Sequence, residues 1–547
     1  MSAVQGDLSR PLKAARGIVW PAAGLIVALI AVGCGSGGEV QPAGPAIGES
    51  PALKEHTSLD AITNRDMSLE EIIQRGEALF TTSFNTLDGA GRPETGGVNR
   101  RNNNTVISSR ARREFPDNFN RISGPDANTC QACHSMPRMG GGGDNANNIF
   151  AMAERFDFVG FDGGEGDGLQ DLSLMTVGVE RNAPSIFGSG FIELLAREMT
   201  TELQDIAEEA IAEARGTGAL ATRDLMAKGV SFGKITARPD AVLDTSAVEG
   251  VDTDLVVRPF QQKGLNVSLR EFAIKAMNVH FGMQASESFR DGIDADRDGV
   301  VDELTRGDIT ALVIFQATLP PPGNMMPVHP EALAAVARGK ELFSAIGCAI
   351  CHIPELRLND PVFTEPNPFN PRGKLRTSDV SNPYGVDLTS QGPGPHLKRE
   401  PDGSVLVPAF TDLKRHQMGD ILDTDLLDHD GVPTDQWLTR KLWGFANEPP
   451  YLHHGRALLI SEAILAHGGE GQASRDGFEA LPVDDQAAVI EFLKTLQILP
   501  EESTELVVSA GVTASGRGAI WAVVGSGLAM LFLVAGVAAY ALNRRRA

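Results

Sequence analysis

The sequence predicts a mainly α fold of two tandem helical units, flanked by an export segment at the N-terminus and a membrane-spanning helix at the C-terminus. Three observations carry that expectation. The pentad Cys-x-x-Cys-His occurs twice, as Cys130-Gln131-Ala132-Cys133-His134 and Cys348-Ala349-Ile350-Cys351-His352, and takes four of the five cysteines. A helical stretch of one signature precedes each pentad, Arg75-Gly76-Glu77-Ala78-Leu79-Phe80 and Arg338-Gly339-Lys340-Glu341-Leu342-Phe343. A related apolar-faced segment closes each unit, Phe315-Gln316-Ala317-Thr318-Leu319 and Phe492-Leu493-Lys494-Thr495-Leu496, so the pattern reads as an internal repeat.

The chain of 547 residues, 42% hydrophobic and 22% charged, is long enough for two or three domains with real cores. Its net charge of −23 argues against a nucleic-acid partner held on a broad basic surface, and would attract basic redox partners or merely keep an exported protein soluble. Residues 1–34 carry Arg10, Lys13 and Arg16, then an apolar run ending at Cys34, which reads as an export signal. Ala31-Val32-Gly33-Cys34 is similar to a lipoprotein cleavage site and makes Cys34 the candidate for lipidation; an uncleaved anchor or ordinary cleavage is the alternative. Residues 35–68 read as a flexible tether, 69–325 as the first unit and 326–500 as the second. Residues 501–518 read as a linker, 519–542 as the membrane span and 543–547 as a basic cytoplasmic tail. A helix of about 24 apolar or small residues reaches about 36 Å, enough to cross a bilayer. Arg544, Arg545 and Arg546 then place that end in the cytoplasm and the bulk of the chain outside, on the periplasmic side of a bacterial membrane.

Within the first unit, residues 69–80 have helical spacing with an acidic first turn. Residues 81–129 are an insertion rich in Asn, Arg and Gly that reads as loop, and helical periodicity returns over 191–214 and 269–279. Pro320-Pro321-Pro322-Gly323 ends the unit, because successive prolines cannot continue a helix. In the second unit the helical stretch runs to Phe343, only five residues before Cys348.

The pentads give the chemistry. Two thiols separated by two residues add to the two vinyl groups of a porphyrin, and the next His lies under the iron, so each pentad points to a covalently held haem with His134 or His352 as proximal ligand. The chain is thereby read as two cytochrome c-type domains with two covalent haems c. A four-cysteine zinc site is the competing reading, but zinc has no need of a His at that one position. Asp294, Asp296 and Asp298, with Gly299 and then Asp302 and Glu303, alternate carboxylates and turn on glycine as calcium loops do. Thr305 stands where a regular loop has its final Glu, so Asp302 or Glu303 would have to close the site, and a solvated acidic turn is the alternative.

Further stretches carry a family likeness: Glu180-Arg181-Asn182-Ala183-Pro184-Ser185-Ile186-Phe187-Gly188 with Gly190 and Glu193, then Phe410-Thr411-Asp412-Leu413, His416-Gln417-Met418-Gly419, Leu442-Trp443-Gly444 and Pro449-Pro450-Tyr451-Leu452-His453-His454-Gly455-Arg456. Over about residues 69–498 the chain resembles the di-haem oxidoreductase (thiol oxidoreductase) branch of the bacterial di-haem cytochrome c peroxidase superfamily. His454 departs from it, standing where the family usually has Asp. The resemblance implies two c-haems facing each other, often with calcium between them, one relaying electrons and the other reducing a substrate such as hydrogen peroxide. It makes Glu193 and Arg181 the catalytic candidates, as proton carrier and as stabiliser of the leaving hydroxide. His467 matches the position of the relay haem's sixth ligand, usually Met in the peroxidase branch. Met418 and His416 are next in line there, while His280, Met139 and Met283 are candidates at the first haem. The implied partner is a small redox protein or a small-molecule oxidant. Two functions stay open, a peroxidase-like oxidoreductase and a membrane-tethered electron carrier without turnover.

Overall fold

The computed structural model describes residues 48–91, 127–143, 146–149, 179–296, 298–425 and 428–510. Among their helices are α1 (Leu69–Thr81), α2 (Ser189–Thr217), α3 (Leu269–Ala276), α4 (Arg306–Thr318), α5 (Pro330–Ala345), α6 (Ile460–Leu465) and α7 (Val483–Lys494). Helix α1 starts on a reciprocal cap in which Ser68 and Glu71 satisfy each other's backbone N–H groups. It buries Ile72, Gly76, Leu79 and Phe80, one face at helical spacing, and each large apolar side chain so buried stabilises the fold by about 1.5–3 kcal/mol.

The repeated glycine has one physical cause in both units. A Cβ on Gly76 would lie 2.2 Å from the Ala311 carbonyl oxygen of α4, and one on Gly339 would lie 1.9 Å from that of Ala488 in α7. Each glycine therefore lets the helix before a pentad touch the backbone of the helix that closes its unit. Phe315 and Phe492 occupy matching places beside these contacts. The core forms two large clusters, one gathering α1 to α4 and Trp443, the other gathering α5, α7, Phe410 and Phe445.

The expectation of a mainly α fold is overturned: the protein is a mixed helix and strand structure. Strands β1 (Ala146–Ile149) and β2 (Val179–Asn182) pair antiparallel. Strands β3 (Ala221–Ala227), β4 (Val230–Ala237) and β5 (Leu243–Asp244) make an antiparallel sheet beside α2. Strand β6 (Gly323–Met326) is the centre of a second three-stranded sheet. The others are two-stranded: β7 (Leu356–Leu358) with β10 (Val405–Val407), β8 (Val362–Glu365) with β9 (Tyr384–Asp387), and β11 (Arg415–Gln417) with β12 (Gln436–Leu438). Most run two to four residues, too short for period-two alternation to emerge from loop sequence. The hairpin β3–β4 is the exception and had a local signal, because Lys228 and Gly229 both adopt positive φ, the turn that matches strand twist.

Both stretches read as tethers are partly folded. Thr57 and Ile62 are buried ahead of α1, and β14 (Val507–Ser509) adds in parallel to β6, whose other neighbour is β13 (Leu496–Gln497). Two adjacent valines at 507 and 508 suit an edge strand. Among the described residues no helix is long and apolar enough to cross a membrane. The span expected at 519–542, the arginines at 544–546 and Cys34 lie outside the described residues.

Candidate haem sites

Each pentad opens with a single tight turn, Cys130–Ala132 or Cys348–Ile350, after which the His backbone N–H bonds back to the first Cys carbonyl at 3.0 Å. The phenylalanine ending each repeated motif lies against the pentad histidine, Phe80 at 6.2 Å from His134 and Phe343 at 6.4 Å from His352, between ring centroids. The four cysteines form no disulfide. Burial pushes the Cys130 thiol up to about 12 and that of Cys348 to about 11. Both therefore stay thiols while no metal is bound, the form that adds to vinyl groups. Among the described residues the four sulfurs do not gather into one metal-binding group.

The first pentad opens onto a cavity of about 430 Å3, lined by Cys130, Cys133 and His134 on one side and by Met277, Asn278 and His280 from the end of α3. There the helix widens into a π-helical turn, Met277–Phe281, a feature that often re-aims side chains at functional sites. The lining fits a haem: both thiols, the proximal imidazole and a facing imidazole border one space. Burial holds His134 down at about 4, so its ring is neutral and free to ligate. Its Nδ1 is buried near the Gly141 and Pro184 backbone without a hydrogen bond of good geometry. Of the three distal candidates, His280 borders this cavity, while Met283 is fully buried in the core and Met139 packs against the same core away from the lining.

The second site is closed by two imidazoles. The rings of His352 and His467 face each other with centroids 6.4 Å apart. Two imidazoles bound through Nε2 on opposite sides of one metal at about 2 Å place their centroids about 6 Å apart, so the spacing suits a single iron between them. Both Nδ1 atoms are committed to backbone carbonyls, His352 to Phe410 at 3.1 Å and His467 to Ala463 at 2.8 Å. That second bond fixes the tautomer that leaves Nε2 as ligand. Burial lowers both histidines, His352 to about 4.

The reserve ligands at this site are otherwise engaged. His416 is clamped between Asp412 on Nε2 at 2.8 Å and Glu470 on Nδ1 at 2.7 Å. Burial alone would lower it, but the Asp412 bond, the nearby Cys351 sulfur and Glu470 push it up to about 11, so it is an imidazolium with no lone pair to offer. Met418 packs beside Leu422, Trp437 and Ala466.

Glu193 and Arg181, the expected catalytic pair, are each engaged in an ion pair. Glu193 is fully buried, pairs with Arg197 one turn along α2, and accepts the Leu269 backbone N–H at 2.8 Å and Asn367 Nδ2 at 2.7 Å. Its carboxylate is saturated, and Glu193 does not line the cavity. Arg181 does line it, but its guanidinium grips Asp425 through two bonds of 2.9 and 2.7 Å. His454, at the departure from the family pattern, accepts the Arg456 backbone N–H on Nδ1 at 3.2 Å.

Residues 259–263, His429 and the run Leu438 to Lys441 also line the cavity, and sequence reasoning missed them. Burial lowers Lys441 to about 8, and it donates to the Ser185 carbonyl at 2.8 Å and the Phe187 carbonyl at 3.2 Å. These residues come from distant loops with no local motif. At the acidic loop, Asp294, Asp296 and Asp298 bring carboxylate oxygens within 4.8 Å of one another. Asp302 instead accepts the Gly292 N–H at 2.9 Å, and Glu303 bonds Gln284 at 2.8 and 2.9 Å.

The two sites together offer two sets of residues suited to holding haem. Residues 389–496 match the family described as "Di-haem oxidoreductase, putative peroxidase", so that stretch of the second unit is similar to the di-haem oxidoreductases. No curated protein matches it. Among solved structures, hydrazine synthase of Kuenenia stuttgartiensis pressurised with xenon aligns over 84% of this chain and 100% of its own, at 11% identity and a TM-score of 0.30. That score carries no argument.

Proposed function

We propose that the protein is an exported oxidoreductase with two covalent haems c. It takes electrons from a small periplasmic redox partner through the site of His352 and passes them to a small oxidant, such as hydrogen peroxide, at the site of His134. One observation supports this reading above the rest: the sites are unequal, one flanked by two facing imidazoles and the other bordering a cavity. Bound haem would supply redox-active iron at each. The chain's part is to fix His352 and His467 through backbone carbonyls, to exclude bulk water from the first pocket, and to present His280 where a proton must move. Reduction of hydrogen peroxide to two waters consumes two electrons and two protons, so an imidazole bordering the pocket is a suitable carrier. Export, with lipid on Cys34 or a C-terminal span, and calcium on Asp294, Asp296 and Asp298 belong to the same reading.

A second reading is a tethered electron carrier without turnover. It is favoured by the commitment of Arg181 to Asp425 and of Glu193 to Arg197, which leaves neither free for chemistry. Replacement of His467 with Ala separates the sites. The variant should lose one low-spin signal in electron paramagnetic resonance, gain a high-spin one, and transfer electrons to peroxide more slowly. An unchanged spectrum would refute the ligand assignment, and absence of peroxide turnover in both wild type and variant would favour the carrier.

A further inference from the structure

Behind the wall of the first cavity lies a cluster of charges that the proposed reaction does not use. Three carboxylates, Glu193, Glu287 and Glu365, are packed with two guanidiniums, Arg197 and Arg270, and all five side chains are nearly or completely withdrawn from solvent. Arg270 donates through Nη1 to Glu365 Oε1 at 2.6 Å and Thr310 Oγ1 at 2.9 Å, and through Nε to Glu287 Oε2 at 3.0 Å. Glu193 is satisfied by Arg197, Leu269 and Asn367. The charges do not balance: with every carboxyl ionised, the cluster holds one negative charge too many. The excess falls on Glu365, whose Oε2 is buried and has no partner.

A carboxylate in that position pays full desolvation on one oxygen and gains from a single guanidinium, so it favours the neutral acid. Burial dominates and raises Glu365 to about 7, with Glu193 adding to it against the pull of Arg270 and Arg197. The cross-strand neighbour Tyr384 is the other titratable group, with Arg65 over its ring. Ile192, Leu269 and Ser288, next in sequence to Glu193, Arg270 and Glu287, line the cavity and join the cluster to its wall.

We infer that Glu365 is a charge-compensating residue that takes up one proton from solvent as one electron enters the first site, and releases it on reoxidation. The inference rests on the reading that a haem occupies the His134 cavity. The step balances as one electron onto ferric iron, supplied by the second haem as one-electron donor, and one proton onto the Glu365 carboxylate; no other bond changes. Added negative charge across a low-dielectric wall strengthens proton binding, and proton uptake in turn makes the electron easier to accept.

The test is a redox titration of the intact protein from pH 5.5 to 9, wild type against Glu365→Gln, after a haem count has established two haems per chain. In wild type the first-site potential should fall as pH rises across neutrality, and in the glutamine variant it should be flat. A tenfold gain in proton affinity on reduction corresponds to about 59 mV of this pH dependence. Redox difference infrared spectra should also contain a protonated carboxyl band in wild type that the variant lacks. A wild-type potential independent of pH, or a slope and band retained in Glu365→Gln, would overturn the inference while leaving the haem sites intact. If the variant fails to fold, absence of the carboxyl band in wild type alone overturns it. A haem count of one would instead overturn the reading beneath it.

Discussion

The two pentads are nearly identical in sequence, yet the pockets around them differ in what meets the proximal histidine. At the second, Phe410 presents its carbonyl to His352 Nδ1 from a left-handed backbone, φ 54°, that a non-glycine residue adopts only under constraint. Phe343 and Phe492 pack on the Phe410 ring, with centroids 6.2 and 5.9 Å away, and supply that constraint. At the first, Phe80 and Phe315 repeat the aromatic pair at 5.3 Å, but His134 Nδ1 has no such bond. A hydrogen-bonded Nδ1 makes an imidazole a stronger donor, and a second imidazole adds to it. The local sequence is the same at both pentads, so the difference in what each histidine meets comes from the surrounding chain.

The strongest way to break that comparison is to remove one attachment at a time. Cys130→Ala with Cys133→Ala should leave one covalent haem and a low-spin spectrum; Cys348→Ala with Cys351→Ala should leave one haem with the spectrum of the cavity site. Mass and a haem-stained denaturing gel check the number. Two haems remaining in either variant would sink the assignment.

How much was legible follows the range of each interaction. The pentads, the glycines at 76 and 339 and the closing helices are local patterns, and each has a local physical cause in the structure. His467 lies a short stretch of chain beyond Tyr451 to His453, and the structure brings its ring to that of His352. The ion pair of Glu193 with Arg197 is local, one helical turn apart, and of a kind that sequence spacing suggests. The pairing of Arg181 with Asp425 spans 244 residues and has no local signal. The ribbons escaped for the same reason, being short segments that become strands only through partners remote in the chain.

A smaller effect sharpens the parallel between the units. Gly76→Ala and Gly339→Ala place a methyl group against backbone oxygen rather than a yielding side chain. Each should cost about 3 kcal/mol, the upper end of ordinary overpacking, measured by denaturant unfolding. Equal losses confined to the matching haem spectrum would support one construction used twice. A tolerated alanine at either glycine would mean that its helix crossing is looser than drawn.

The smallest effect tests an asymmetry. The acidic loop with Asp294, Asp296 and Asp298 joins the π-helical turn bearing His280 to α4, and has no counterpart before α7. An ion held there would favour the native state by mass action, about 1.4 kcal/mol at ten times its dissociation constant. Gln284 ties the loop to this region, donating to Asp296 at 2.7 Å and to Glu303 at 2.9 Å. Loosening the loop should therefore disturb the cavity site first. A chelator should lower Tm by a few degrees and broaden the first-site spectrum, and excess calcium should restore both. The second-site spectrum should not move, because the loop is tied by Gln284 to the end of the π-helical turn bearing His280. A melt indifferent to chelation would leave the three carboxylates as a solvated turn; equal disturbance of both spectra would mean that the two sites do not respond separately.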